Sequence, residues 1–186
     1  MEQNSQFKII EDQIRECFGR VAWTHKTQEK CSDILASRLK NFKWSQIILS
    51  ALVTTGILTA VFGDSKIIGI VSAVLSLILT IINTYLKQDD LGGLSQRHAD
   101  AAVSLWDIRE KYLSLLTDIR SGSVDYDYII EKRDLLQSEL FSIYQGSPRT
   151  INKAYSLATN ALKNNEELTF SDEEIDCLLP NGLRRK

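Results

Sequence analysis

Two stretches without a single charged residue decide what this chain can fold into. Residues 44–63 read WSQIILSALVTTGILTAVFG and residues 67–86 read IIGIVSAVLSLILTIINTYL, with only Asp64, Ser65 and Lys66 between them. At a helical rise of about 1.5 Å per residue, each run spans about 30 Å, the thickness of a bilayer's hydrocarbon core. Both runs are apolar on every side, unlike the one-sided stripe of a helix on a soluble protein. A chain of 186 residues has too little other material to wrap two such helices in a soluble core. The connection is long enough only to turn. The pattern therefore predicts an antiparallel transmembrane hairpin, with both flanking segments on one side of the membrane.

Whole-chain totals conceal this. The 22 Lys plus Arg, the 24 Asp plus Glu and the 44% hydrophobic residues would suit an ordinary soluble domain. By segment, eight basic and six acidic residues fall in 1–43, one of each in 44–86, and thirteen basic and seventeen acidic in 87–186. The overall balance of −2 argues against a basic nucleic-acid binder, and no direct nucleic-acid binding is expected. The apolar run starts too late for a signal peptide, and no lipidation motif is present.

Orientation follows from the flanking cations. Arg38, Lys40 and Lys43 precede the first run and Lys87 follows the second, whereas the turn offers only Lys66 beside Asp64. The positive-inside rule places both termini of this two-span protein in the cytoplasm. Trp44 and Tyr85 fall at the cytoplasmic ends of the spans, where amphipathic rings anchor at headgroup level.

The rest of the chain reads as helix. Residues 1–43 form an amphipathic cytoplasmic helix, with Phe7, Ile10, Ile14, Cys17 and Val21 stepping by 3 and 4 and Cys31, Leu35 and Phe42 continuing the drift. Gly19 is a candidate kink, and no turn signal separates this helix from the first span. Asp89, Asp90, Gly92 and Gly93 read as a turn cluster. Ala101, Leu105, Ile108, Tyr112, Leu115 and Ile119 then repeat at near-heptad spacing, either as an intramolecular seam or as an oligomer contact. A further helix runs from near Asp125 towards Gly146 and carries Ile129, Leu136, Leu140 and Tyr144. Ser147-Pro148 reads as the opening of the next helix, to about Lys163. Ser171 to Glu174 has capping-box spacing, and 182–186 reads as a loose basic tail. Only two prolines, Pro148 and Pro180, interrupt any of this. The prediction is an all-α membrane protein with a two-helix transmembrane hairpin and a cytoplasmic helical bundle. Its segments are 1–43, 44–86 (spans about 44–62 and 67–86) and 87–186.

Catalytic signals are sparse. His98 and Asp100, two residues apart on a helix, point about 200° away from one another, and His98 reads as a solvated or interfacial side chain. Cys17, Cys31 and Cys177 form no ligand set and read as small core residues in a reducing compartment. Gly92-Gly93 lacks the context of a phosphate-binding loop. No enzyme, cofactor or metal is expected.

The hairpin itself carries a pattern. Ser72, Ser76, Thr80 and Thr84 recur every fourth residue, with Asn83 beside them, and Ser50, Thr54, Thr55 and Thr59 mark the first span. Gln46 and Asn83 fall at similar depth and are placed to hydrogen-bond. One reading is helix packing through small and hydroxylated residues, as in Gly56-x-x-x-Ala60 and Gly69-x-x-x-Ala73. The other is a wet lining by Ser72, Ser76, Thr80 and Asn83 once several hairpins assemble, poor in charge selectivity because no charged ring exists and open to gating by dewetting of an apolar constriction. The two readings are compatible.

This arrangement resembles the SLATT family, bacterial effectors with two membrane spans that associate with nucleotide-second-messenger systems. The likeness lies in the long N-terminal helix, the tight hairpin at Gly63-Asp64-Ser65-Lys66 and the charged helix RHADAAVSLW at 97–106. The segment SPRTINKAYSLATNALKNNEELTFSDEEID is similar to the subgroup found beside reverse transcriptases in retron-like loci. The resemblance implies a homo-oligomeric effector that permeabilises the membrane in anti-phage defence and abortive infection. It would be controlled by a sensor encoded nearby, either a reverse transcriptase or a nucleotide-signal system. The alternative from the residues alone is a membrane-anchored helical adaptor that recruits a partner without forming a pore.

Overall fold

The structure, a computed structural model, describes residues 2–63 and 65–185, with side chains from residue 6 onward; Asp64 of the expected turn lies outside the described residues. The chain is all-α: α1 (Glu2–Phe62), α2 (Lys66–Gln88), α3 (Leu91–Ser121), α4 (Tyr126–Gly146), α5 (Asn152–Lys163) and α6 (Asp172–Leu178), with a 3₁₀ turn at Asn181–Leu183. It divides into two compact units, one of residues 32–98 and the other of residues 1–31 with 99–186.

The second unit is a helical bundle whose core is the predicted pair of stripes. Ile10, Ile14, Cys17 and Val21 of α1 bury against Leu105, Ile108, Tyr112 and Leu115 of α3, with Ile129 and Leu136 of α4 closing the cluster. Phe7, Leu140 and Ile119 pack at its edge. Burying a side chain of this size contributes about 1.5–3 kcal/mol, so these residues dominate the unit's stability. Burial and the neighbouring Cys17 thiol push the Tyr112 hydroxyl far above the ordinary tyrosine range.

Gly19 does not kink α1, which runs unbroken to Phe62. It faces solvent, and a Cβ there would meet nothing within 4 Å, so its cost is one of helix propensity alone.

A second contact is not visible in the periodicity. His25, Lys26, Thr27 and Gln28 are four consecutive buried polar residues of α1. They are enclosed from two sides: Arg109 and Glu110 of α3 lie beside His25, and α5, with Ala154, Ala158 and Ala161 buried, closes in on the Trp23 and Gln28 side. The Trp23 ring meets Tyr155 at 5.8 Å and lies under the Lys163 ammonium. Gln28 donates to the Pro148 carbonyl, and the Ile151 N–H donates to the Cys31 sulfur. Burial lowers the His25 pKa below the ordinary histidine range, against a partial counterpull from Glu29. Burial also opposes the charge on Lys26, but Glu29 and Glu167, at 2.8 and 2.9 Å, outweigh it and hold the ammonium above the usual lysine value.

Ser147-Pro148 does not open α5. Ser147 is the C-cap of α4: its N–H bonds to the Tyr144 carbonyl and its hydroxyl to the Ile143 carbonyl. Helix α5 starts only after Ile151, whose carbonyl accepts from Ala154 and Tyr155. The capping box at Ser171 and Glu174 forms as its spacing predicts. Two residues of the expected loose tail are tied down, Arg184 donating to the Leu179 carbonyl and Arg185 pairing with Asp172 at 2.6 Å, and Lys186 lies outside the described residues.

In the other unit, α2 returns antiparallel along the last part of α1. The first turns of α3 then follow a connection of only Asp89 and Asp90. The two glycines belong to the first turn of α3 and not to the turn. Asp90 caps that helix by accepting from the Gly93 N–H at 2.8 Å, and a Cβ on Gly93 would collide with the same carboxylate. Beyond the apolar spans this unit is pinned by Ser95, which donates to the Ser32 carbonyl at 2.9 Å, with Leu35 and Leu91 buried nearby. His98 is buried here, not solvated, because it lies on the inward face of α3 with Leu91 and Ser95. Burial and the adjacent Arg97 lower its pKa.

Candidate functional site

The hairpin is the part of the molecule in which sequence and geometry both depart from an ordinary helical domain. Its seam is a heptad-like row. On α1, Phe42, Gln46, Leu49, Val53, Gly56 and Ala60 are less exposed than their neighbours, and Gly69, Ser72, Leu75, Leu79, Ile82 and Leu86 of α2 answer them. Spacings of 3 and 4 on both helices give the 3.5-residue repeat of a left-handed pair.

Close approach at the outer end depends on small residues. Ser72 is the one buried residue of α2, and a Cβ on Gly56 would collide with its hydroxyl oxygen. A Cβ on Gly69 would rest 3.6 Å from the Ala60 methyl. Gly56, Ala60 and Gly69 therefore sit at the seam, whereas Ala73 lies exposed beside it. At the inner end Gln46 donates to the Asn83 carboxamide oxygen at 2.5 Å, joining the two residues whose depths match in the sequence. Tyr85 packs its ring 5.4 Å from Phe42, and Trp44 is exposed towards the surroundings.

The hydroxyl row does not follow the seam. Residues four apart drift by about 40° round a helix of 3.6 residues per turn. Ser72 accordingly starts inside the contact, and Ser76, Thr80 and Thr84 wind out onto the exposed surface. Ser50, Thr54, Thr55 and Thr59 of α1 are exposed as well. Most of these hydroxyls donate to the carbonyl four residues back, as Ser72, Thr80, Thr84, Thr54, Thr55 and Thr59 do at 2.8–2.9 Å. That bond hides the donor and leaves oxygen lone pairs facing outward, a surface compatible with lipid, another helix or water.

Only 6% of either apolar window is buried, so these are not core helices of a soluble fold; both are long and apolar enough to cross a membrane. Among the described residues no group of three His, Cys, Asp or Glu side chains is placed to hold a metal ion.

The model of the SMODS and SLOG-associating 2TM effector domain, family 4, matches residues 10–174. The chain belongs to this family. No curated protein and no solved structure matched it. The family match covers α1 from residue 10, the hairpin, α3, α4, α5 and the first residues of α6. With Arg38, Lys40, Lys43 and Lys87 flanking the spans and Lys66 alone at the turn, the SLATT hairpin crosses the inner membrane twice and keeps both termini cytoplasmic. Its role is that of a membrane-associated effector.

Proposed function

We propose that this SLATT chain is an anti-phage effector that assembles as a homo-oligomer in the inner membrane and permeabilises it. A partner sensor encoded nearby, a reverse transcriptase or a nucleotide-signal system, activates it and the infected cell arrests or dies. The observation that carries this reading is the exposed hydroxyl surface of the hairpin. Ser76 and Thr80 lie outside the seam that joins the two spans, in a region where lipid alone would favour Leu or Ile. One hairpin cannot enclose water. Several hairpins can, with Ser76 and Thr80 turned inward, Ser72 and Asn83 at the edge of the lining and the large aliphatic faces towards lipid. Ala73, exposed next to this row, supplies the small surface on which a neighbouring helix closes in. Catalysis has no part in this mechanism.

The test uses Ser76→Leu with Thr80→Leu. Ser72 is spared because a leucine there would strike Gly56 and break the hairpin itself. The double variant should insert normally and lose ion or dye leakage from liposomes. Leakage at the wild-type rate would remove these residues from any lining.

A second reading, an adaptor that only recruits a partner, is favoured by Val103, Trp106 and Leu113, which leave apolar surface exposed along α3. It predicts an unchanged membrane potential on induction, and prompt depolarisation would count against it.

A further inference from the structure

We infer that the hairpin unit carries a binding site for the headgroup of an anionic phospholipid at its cytoplasmic edge. A groove of about 460 Å³ lies between residues 36–47 of α1 and the first turns of α3. Lys40 and Lys43 supply its charge, Trp44 and Ile47 its membrane-side wall, and Ser95 and Gln96 its polar side opposite.

The order of chemistry along the groove matches a phospholipid end to end. Ile47 lies in the first turn of the uncharged run and is 60% exposed, at the depth of acyl chains. Trp44 stands one turn nearer the cytoplasm, at the level that indole rings prefer. Lys43 and Lys40 follow, so the ammonium groups come at headgroup depth on the same face of the helix. A lysine at such a boundary lies on its aliphatic stem and turns its charge to the phosphate layer.

Charge complementarity selects an anionic lipid over a zwitterionic one. Among the described residues neither Lys40 nor Lys43 makes an ion pair, although Lys26, Lys30 and Lys111 of the bundle are each held by carboxylates. No carboxylate lines the groove, and that of Asp90, close to Gly92, accepts from the Gly93 N–H at the start of α3. Two ammonium groups and no carboxylate in the lining leave the groove positive. A basic pocket between membrane helices on the cytoplasmic side is the setting in which phosphate headgroups bind. The site stands on membrane insertion alone and does not depend on whether the hairpin forms a pore.

The full-length protein is reconstituted in phosphatidylcholine vesicles containing phosphatidylglycerol as the minor component. The association of spin-labelled phosphatidylglycerol with the protein is compared with that of spin-labelled phosphatidylcholine. The wild type should prefer the anionic lipid, and Lys40→Gln with Lys43→Gln should lower that preference by roughly fivefold for each lysine removed. Lys40→Arg with Lys43→Arg should keep it. Lys87→Gln, which removes a charge outside the groove, should leave it unchanged. Helicity measured alongside verifies that each variant is folded. The inference is overturned by any of three results: no preference in the wild type, equal loss in Lys87→Gln, or a preference that survives Lys40→Gln with Lys43→Gln. Complete displacement of the labelled lipid by soluble inorganic phosphate would also overturn it, since the groove would then be a simple anion site.

Discussion

The two units of this chain solve opposite problems with the same helix. In the bundle, α1 buries Ile14 and Val21 completely and keeps its charges outside, except Lys26, whose buried ammonium is held by Glu29 and Glu167. In the hairpin the same α1 exposes Ile47, Leu52, Ile57 and Val61 and places Gln46 and Gly56 at its contact. Water drives the first arrangement, because apolar area removed from it is stabilising. No such force exists between helices in hydrocarbon, so the second depends on close backbone approach and on polar pairs.

The sharpest test of that contrast is a matched truncation. Leu105→Ala in the bundle core should cost about 2–5 kcal/mol, read from urea unfolding of the detergent-solubilised protein. Ile78→Ala on the outer face of α2 should move the same curve by less than about 0.5 kcal/mol. Equal losses would mean that the exposed aliphatic face of the hairpin is covered in the protein as purified.

The next effect belongs to the hairpin. Asn83→Leu removes the partner of Gln46 and should weaken helix association by about 0.6–2 kcal/mol, measured by a double-mutant cycle with Gln46→Leu in bilayers. A coupling energy near zero would break the claim that polar pairs hold this unit.

Acidification should act on the buried histidines. Burial depresses the pKa of both His25 and His98, so the unfolded chain takes up protons first as the pH falls. Stability is therefore fully present above the ordinary histidine pKa of about 6.5 and is lost as the pH drops from there through the lower folded values. Thermal melts at pH 7.5 and 5.5 should show the drop, and His25→Gln should reduce it. A melting temperature insensitive to pH in this window would refute the assignment.

Smallest should be Lys111→Gln. Its ammonium bridges Asp107 and Glu139 at 2.9 and 2.8 Å on the open surface, and such pairs contribute about 0.2–1 kcal/mol. Added salt should erase the difference between variant and wild type.

What is legible in the sequence depends on where each partner lies along the chain. The spans can be read because twenty residues without charge admit few alternatives, and the Gln46–Asn83 pair because a tight hairpin fixes relative depth. The α3 stripe can be read because a buried row needs only its own period. His25 to Gln28 cannot, since four polar residues in succession look solvated until α3 and α5, about 80 and 120 residues later, close round them. The start of α5 is hidden for a related reason: Ser147 has the chemistry of an N-cap, but its N–H and hydroxyl already serve α4. In the hairpin, spacing identifies Gly56, Ala60 and Gly69 as small-residue positions. It does not show that Ser72 alone of the hydroxyl row enters the contact, because that depends on how the row winds relative to the partner helix.

The fit of Ser72 against Gly56 also limits how this hairpin can move. Sliding α2 along α1 by one turn in either direction would bring the Ser72 hydroxyl to Ala60 or Val53, where a methyl group occupies the space that glycine leaves open. The Gln46–Asn83 bond, more than two turns away, would be torn by the same slide. The joint behaves like a keyed shaft, tolerant of slight rocking and resistant to a piston stroke. In the proposed assembly, gating would then be a change in how whole hairpins meet one another.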